Sequence, residues 1–209
     1  MSTPPLRWYF DFISPFASLQ WPKIRALMRT DAVLPVPVVF GAVLAAVGQK
    51  GPAEIPGKRV FTYRHALWRA RQQGIALRFP PAHPFNPLAA LRLCIAAGAT
   101  PDAIDAIFDW IWTRGEAGDS AGALAPVAAR LGVASSAFAD DAVKAALRAN
   151  TDAAIAAGVF GVPTLAIGDA LFWGDDAHAL ALAVLREPAM LDDAEMQRVA
   201  TLPEGVRRR

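Results

Sequence analysis

Over residues 6–12 the large apolar side chains of Leu6, Trp8, Phe10 and Phe12 fall at every second position, alternating with Arg7, Tyr9 and Asp11. That is the period of a β-strand, which the sequence predicts to end at Ile13. Ser14-Pro15 follows as helix-start chemistry: a hydroxyl that accepts from early amides, then a proline whose missing N–H costs nothing there. This helix is expected to reach about Arg29. Residues 32–40 are β-branched and short, but Pro35 and Pro37 remove ladder donors and predict a strand at a sheet edge. A Gly- and Pro-containing connection over 48–58 leads to a helix over 60–73. Val60, Tyr63, Leu67 and Ala70 stand at helical spacing there and Gly74 ends it.

A loop over 79–87 carries Pro80, Pro81, Pro84 and Pro87 and opens a run of helices predicted over 87–97, 101–114, 121–131 and 136–157. Ile104, Ile107, Phe108, Ile111 and Trp112 fill one face of the second. At Gly158 the texture returns to strand. Leu165–Ile167, a Gly168-Asp169 turn and residues 171–173 predict a hairpin. Asp175 and Asp176 then precede Ala177, Leu180, Ala181, Val184 and Leu185, a one-face helix with a capping residue in front. The polar tail beyond Glu187 is expected to be loosely held. The order β, α, β, helical block, hairpin, α predicts a mixed α/β chain, parallel early and antiparallel late.

The 209 residues are 54% hydrophobic and 19% charged, which excludes a disordered or collagen-like chain and suits one large domain or a domain with an insertion. Lys and Arg number 21 against 19 Asp and Glu, a net +2 that carries no nucleic-acid signature. Arg207, Arg208 and Arg209 read as a solvated tail. The lead from Met1 to Pro5 lacks the regions of a secretory leader, and the apolar stretch 36–47 is too short to span a bilayer. The single cysteine, Cys94, leaves no internal disulfide and no cysteine cluster for a metal, so a reduced cytoplasm fits best. It shares an apolar face with Leu88, Leu91 and Ile95, the place of a core residue. His65, His83 and His178 show no metal-ligand spacing, and His83 and His178 are expected at surface or boundary positions. Phosphate loops, nucleophile elbows and H-E-x-x-H helices are absent, leaving phosphoryl transfer and metal hydrolysis without support.

Two elements carry candidate chemistry. Ser14 would lie among free amides at the positive end of a helix dipole, a place for an anion or thiolate, although an N-cap role alone accounts for it. Pro163 opens a late strand. A cis bond there would leave the Val162 N–H and C=O to a peptide-like ligand, while a trans proline would be an ordinary strand start.

Together, FDFISPFASL at 10–19, GVFGVPT at 158–164 and FWGDD at 172–176 resemble the 2-hydroxychromene-2-carboxylate isomerases and the related kappa-class glutathione transferases. The resemblance runs from Leu6 to about Arg186. It implies a thioredoxin-like fold of the disulfide-oxidoreductase type with an inserted all-helical domain, residues 1–75 and 158–209 forming the first part and 76–157 the insertion. It implies that Ser14 replaces the first cysteine of the redox relatives and hydrogen-bonds the sulfur of bound glutathione. Val162, before a cis Pro163, would pair its backbone with the cysteinyl part, and Trp173, Gly174, Asp175 and Asp176 would receive the γ-glutamyl end. An acidic pair at a helix start suits that zwitterion, the carboxylates taking the ammonium and the amides the carboxylate.

Gln49 stands where the family has an asparagine and Lys58 matches its lysine, both toward glutathione or substrate. Asn86 matches a position near the substrate, with a cap before Pro87 as the other reading. Ala45 and His65 depart from the family's lysine and the transferases' aspartate. The implied activity is a glutathione-dependent interconversion of 2-hydroxychromene-2-carboxylate and trans-o-hydroxybenzylidenepyruvate in the breakdown of naphthalene-like compounds. The resemblance also implies a homodimer acting on a small aromatic substrate, with no nucleic acid or membrane partner. A kappa-class-like transferase or peroxidase, and a non-catalytic thioredoxin-like binding module, are the alternatives. Trp110 and Trp112 offer a wall for a flat substrate, a dimer contact, or core.

Overall fold

The computed structural model describes residues 6–205, so the Met1–Pro5 lead and the Arg207–Arg209 run lie outside the described residues. A four-stranded sheet has the order β2-β1-β3-β4. β1 (Leu6–Phe10) pairs in parallel with β2 (Val33–Pro37) and antiparallel with β3 (Thr164–Ile167), which forms the expected hairpin with β4 (Ala170–Trp173). β2 is the edge that Pro35 and Pro37 require, since its outer side has no ladder to lose. Central β1 is covered on both faces, so Tyr9 and Asp11, which alternate with the apolar set, are buried too.

On one face Trp8 stacks on Phe10 at 4.3 Å and on Trp21 of α1 (Pro15–Leu27) at 5.3 Å. Phe12 carries the cluster on to Phe108 at 4.7 Å, and Ala181 and Val184 of α8 (His178–Arg186) complete it. The other face places Tyr9, Val36 and Ala166 against Val43 of α2 (Phe40–Ala46) and Ala154 of α7 (Asp141–Ala156). Nothing in the periodicity marked α2, because its apolar run continues from the strand without a change of phase. α3 (Pro56–Gln72) starts four residues before the expected 60, with Pro56 in its first turn; Val60 is exposed and Ala66 and Ala70 are buried.

The helical block consists of α4 (Leu88–Ala96), α5 (Pro101–Phe108) running into a π-helical turn at Asp109–Thr113, α6 (Ala125–Arg130) and α7. The single helix expected over 136–157 divides into a 3-10 turn at Ser135–Phe138 and α7. Asp140 causes the break: its carboxylate accepts from the Ala142 and Val143 amides and caps α7. Cys94 is fully buried, as expected. Trp112 is also buried and donates to the Phe12 carbonyl at 2.8 Å, while Trp110 donates to the Ala117 carbonyl at 3.0 Å; both serve packing. The tail is more ordered than its polarity suggested, with a 3-10 turn at Pro188–Asp192, α9 (Ala194–Ala200), and Met190 and Leu191 packed on the core. Among the described residues no helix is long and apolar enough to cross a membrane.

Candidate functional site

β1 ends at Phe10, short of Ile13, because the chain turns on Asp11. The Asp11 carboxylate accepts from the Ile13 amide at 3.1 Å, and the Asp11 carbonyl accepts from the Ser14 amide at 3.1 Å. Ser14 then caps α1: its Oγ accepts from the Ala17 amide at 3.2 Å with Pro15 behind it. As an acceptor at one lone pair, the Ser14 hydroxyl keeps its proton to give, and it lies in the positive field of the α1 N-terminus. Ser14 is buried and lines a cavity of about 670 Å³.

Across this cavity stand Val162 and Pro163, joined by a cis peptide bond. The β1–β3 ladder ends at Thr164, and the Val162 N–H and C=O make no hydrogen bond among the described residues. The Pro163 carbonyl accepts from the Gly174 amide at 2.8 Å, drawing Trp173, Gly174, Asp175 and Asp176 to the same rim. Gly174 has φ +98°, a conformation glycine adopts without strain, and a side chain there would run into Asp176. The remaining wall is apolar and aromatic. Phe16, Phe40, Phe61, His65 and Phe85 line it, with the His65 ring 5.8 Å from Phe16 and stacked at 5.5 Å on Phe61.

The two expected acidic partners have different fates. Asp175 is buried and takes Lys23 of α1 at 2.6 Å, Arg69 of α3 at 2.8 Å and the Gln73 amide at 3.0 Å. Both its oxygens are committed inside the protein, so only the exposed Asp176 carboxylate is left for a ligand's ammonium. Neither caps α8, whose first flanking residue is Ala177 without a side-chain bond. Asn86 lines the cavity, and its Oδ1 accepts from the Leu88 amide at 3.1 Å, the capping role before α4. Gln49 and Lys58 are exposed and lie outside the cavity lining, as does Ala45 on α2.

Asp11, Arg69 and His83 line the cavity although periodicity and spacing gave them no role. Asp11 is fully buried with backbone amides as partners, and burial raises its pKa from 3.8 to about 7. Its signal was a carboxylate at the end of an apolar strand three residues before Ser14. His83, expected at the boundary, has both ring nitrogens engaged, with the Ile13 carbonyl and the Tyr63 hydroxyl each at 2.8 Å. Burial holds its pKa below 6.5. His178, also expected near the surface, is buried by the packing of α8, and desolvation lowers its pKa in the same way. Among the described residues no group of His, Cys, Asp and Glu could hold a metal.

Residues 6–185 match the family model of the DSBA-like thioredoxin domain. The chain is 31% identical over 179 residues to a 2-hydroxychromene-2-carboxylate isomerase of Pseudomonas putida, covering 80% of this chain and 87% of that protein. It is 27% identical to the isomerase of the same name from Sphingobium xenophagum, over 83% of this chain and 94% of that one. A solved 2-hydroxychromene-2-carboxylate isomerase superposes with a TM-score of 0.73 at 25% identity, covering 91% of this chain and 98% of that one. The cytosolic disulfide reductase DsbM of Pseudomonas aeruginosa, at TM-score 0.60 and 17% identity over 87% of this chain and 98% of that one, shares the fold. With a sheet interrupted by a helical block, a serine at the α1 N-terminus and a proline facing it, the chain belongs to the DSBA-like thioredoxin family and, within it, to the 2-hydroxychromene-2-carboxylate isomerases.

Proposed function

We propose that this protein is a glutathione-dependent isomerase that interconverts 2-hydroxychromene-2-carboxylate, or a close aromatic analogue, with its open-chain trans-benzylidenepyruvate partner. The observation that carries the reading is the placement of the Ser14 hydroxyl opposite the unpaired Val162 backbone, in one cavity with an aromatic wall. The relatives named as isomerases support the reaction class.

The residues fit a peptide thiol. Val162 offers one backbone donor and one acceptor, the pair a cysteinyl residue would match as a short β-bridge. The Gly174 amide is held by the Pro163 carbonyl, so the Asp175 and Asp176 amides are the ones open to the γ-glutamyl carboxylate, and Asp176 offers a carboxylate to its ammonium. Once the ring C–O bond of the hemiketal has opened to phenol and ketone, bound glutathione would supply a thiolate able to add reversibly to the resulting enone, whose former double bond could then turn before loss of the thiolate restored it. Ser14 donates its hydroxyl proton toward the sulfur, and the α1 N-terminus adds its positive field; both favour thiolate over thiol. The two effects act without any net proton transfer to Ser14, so the residue emerges unchanged from each turnover. Phe16, Phe61 and His65 give the cavity an aromatic wall suited to a flat substrate.

The test is the absorbance change of 2-hydroxychromene-2-carboxylate with purified protein, with and without glutathione. Equilibration that needs glutathione and leaves its concentration unchanged is the expected result. Net loss of glutathione into a conjugate would instead make the protein a transferase, and activity without glutathione would overturn the thiolate mechanism. Replacing Ser14→Ala is expected to lower kcat about a hundredfold, the cost of one donor aimed at developing or resident negative charge.

A further inference from the structure

We propose that Asp11 and His83 are positioning residues that grip Ile13 from its two polar sides and thereby fix the direction of the Ser14 hydroxyl. The inference rests on the glutathione reading above. Ile13 immediately precedes Ser14, and both its backbone groups are held by side chains. Its N–H donates to Asp11 Oδ1 at 3.1 Å, and its C=O lies 2.8 Å from His83 Nε2. A carbonyl only accepts, so His83 carries its proton on Nε2.

Each side of the grip is itself anchored to another element. Asp11 Oδ2 accepts from the amide of Phe40 at 2.9 Å, the first residue of α2. The hydroxyl of Tyr63 on α3 lies 2.8 Å from His83 Nδ1 and 2.7 Å from the His83 carbonyl, and with Nδ1 unprotonated its single proton is shared between these two acceptors. Phe79, Phe85 and Trp112 pack their rings around the imidazole at 5.7, 6.2 and 5.6 Å. The charged and titratable groups facing His83 are Tyr63 and Arg59, both from α3; Arg59 and burial favour the neutral ring that donates to Ile13. Asp11 meets the amides of Ile13 and Phe40 and is screened from solvent by the core.

The Ile13 carbonyl and the Ser14 amide form one peptide plane, and its other edge is held by the Ser14 N–H bond to the Asp11 carbonyl at 3.1 Å. If the plane rotates, the Ser14 Cα–Cβ direction swings with it, and a misplacement of about 1 Å is enough to lose about a hundredfold in rate.

The experiment titrates the thiol of bound glutathione through the ultraviolet absorbance of its thiolate in the full-length protein. It compares the wild type with Ser14→Ala, His83→Phe, His83→Gln and Asp11→Asn. The wild-type thiol is expected to titrate well below the roughly 8.5 of a free thiol, and Ser14→Ala to return most of the way to it. His83→Phe, which keeps the ring and loses the donor, is expected to raise the wild-type value by about half a pH unit. His83→Gln, which keeps a donor, is expected to restore it, and Asp11→Asn, which keeps one acceptor but opposes the Phe40 amide, to fall between. Wild-type titration in both His83→Phe and Asp11→Asn overturns the grip while leaving the role of Ser14 intact. Equal losses in His83→Phe and His83→Gln overturn it as well, since packing alone would then account for His83. A wild-type thiol that titrates like free glutathione, or no binding at all, overturns the glutathione reading and the grip with it.

Discussion

At the scale of single residues, two buried aspartates show how partners decide the state of a carboxylate. Asp175 meets two cations and an amide, whereas Asp11 meets only backbone N–H groups and is pushed up to about 7 by desolvation. An acid whose folded pKa exceeds its unfolded value binds more protons when folded. Asp11 therefore lowers stability as pH rises from about 3.8 to about 7, and that loss is complete above the folded value. His83 and His178, held low by burial, act in the opposite sense below 6.5, so the test is a difference: between pH 5 and pH 8 the urea midpoint of the wild type should drop relative to that of Asp11→Asn, and identical pH dependence in the two would remove Asp11 as the titrating group. Both aspartates were visible in the sequence as letters. Their difference was not, because it depends on Lys23 and Arg69 arriving from helices far away in the chain.

At the scale of elements, Asp175 joins α1 and α3 to the turn between β4 and α8. Removing it leaves two cations without a counter-charge, and Lys23 remains 32% exposed, so water compensates part of the loss. Asp175→Ala is expected to cost about 2–3 kcal/mol in chemical denaturation, less than for a fully buried pair. A change under about half a kcal/mol would show that the three elements hold together without the ion pairs. The elements with turn chemistry at their borders were legible in advance: Ser14-Pro15 opened α1, Gly168-Asp169 made the hairpin, and the prolines of β2 placed it at an edge. α2 and the break before α7 were not. An apolar run that passes from strand to helix shows no change of composition, and Asp140 interrupts a helix only because its carboxylate turns to cap the next one.

At the scale of the whole molecule, one apolar cluster runs from the sheet into the helical block. Phe108 of α5 lies 6.4 Å from Trp8, 6.0 Å from Phe10 and 4.7 Å from Phe12. A core shared in this way should couple sheet and block in unfolding. Phe108→Ala is expected to destabilise the protein by about 3–5 kcal/mol. Near- and far-ultraviolet dichroism should be lost in the same transition, and two separated transitions would show that the block folds by itself.

The three motifs carried the family by resemblance, while the chain's own pattern placed the four strands, every helix except α2 and α9, the hairpin, and the serine at a helix start. Local chemistry suffices for these, since caps, turns and period are properties of neighbouring residues. Tertiary structure alone decided which polar groups face the cavity. His83 reaches Ile13 across 70 positions and Lys23 reaches Asp175 across 152, separations at which no periodic pattern carries information. It also decided that Gln49 and Lys58 stand outside the cavity and that the carboxylate of Asp175 is taken up internally. The physical reason is the same in each case: burial makes a polar group seek whatever partner the packing brings near, and packing is a property of the whole chain.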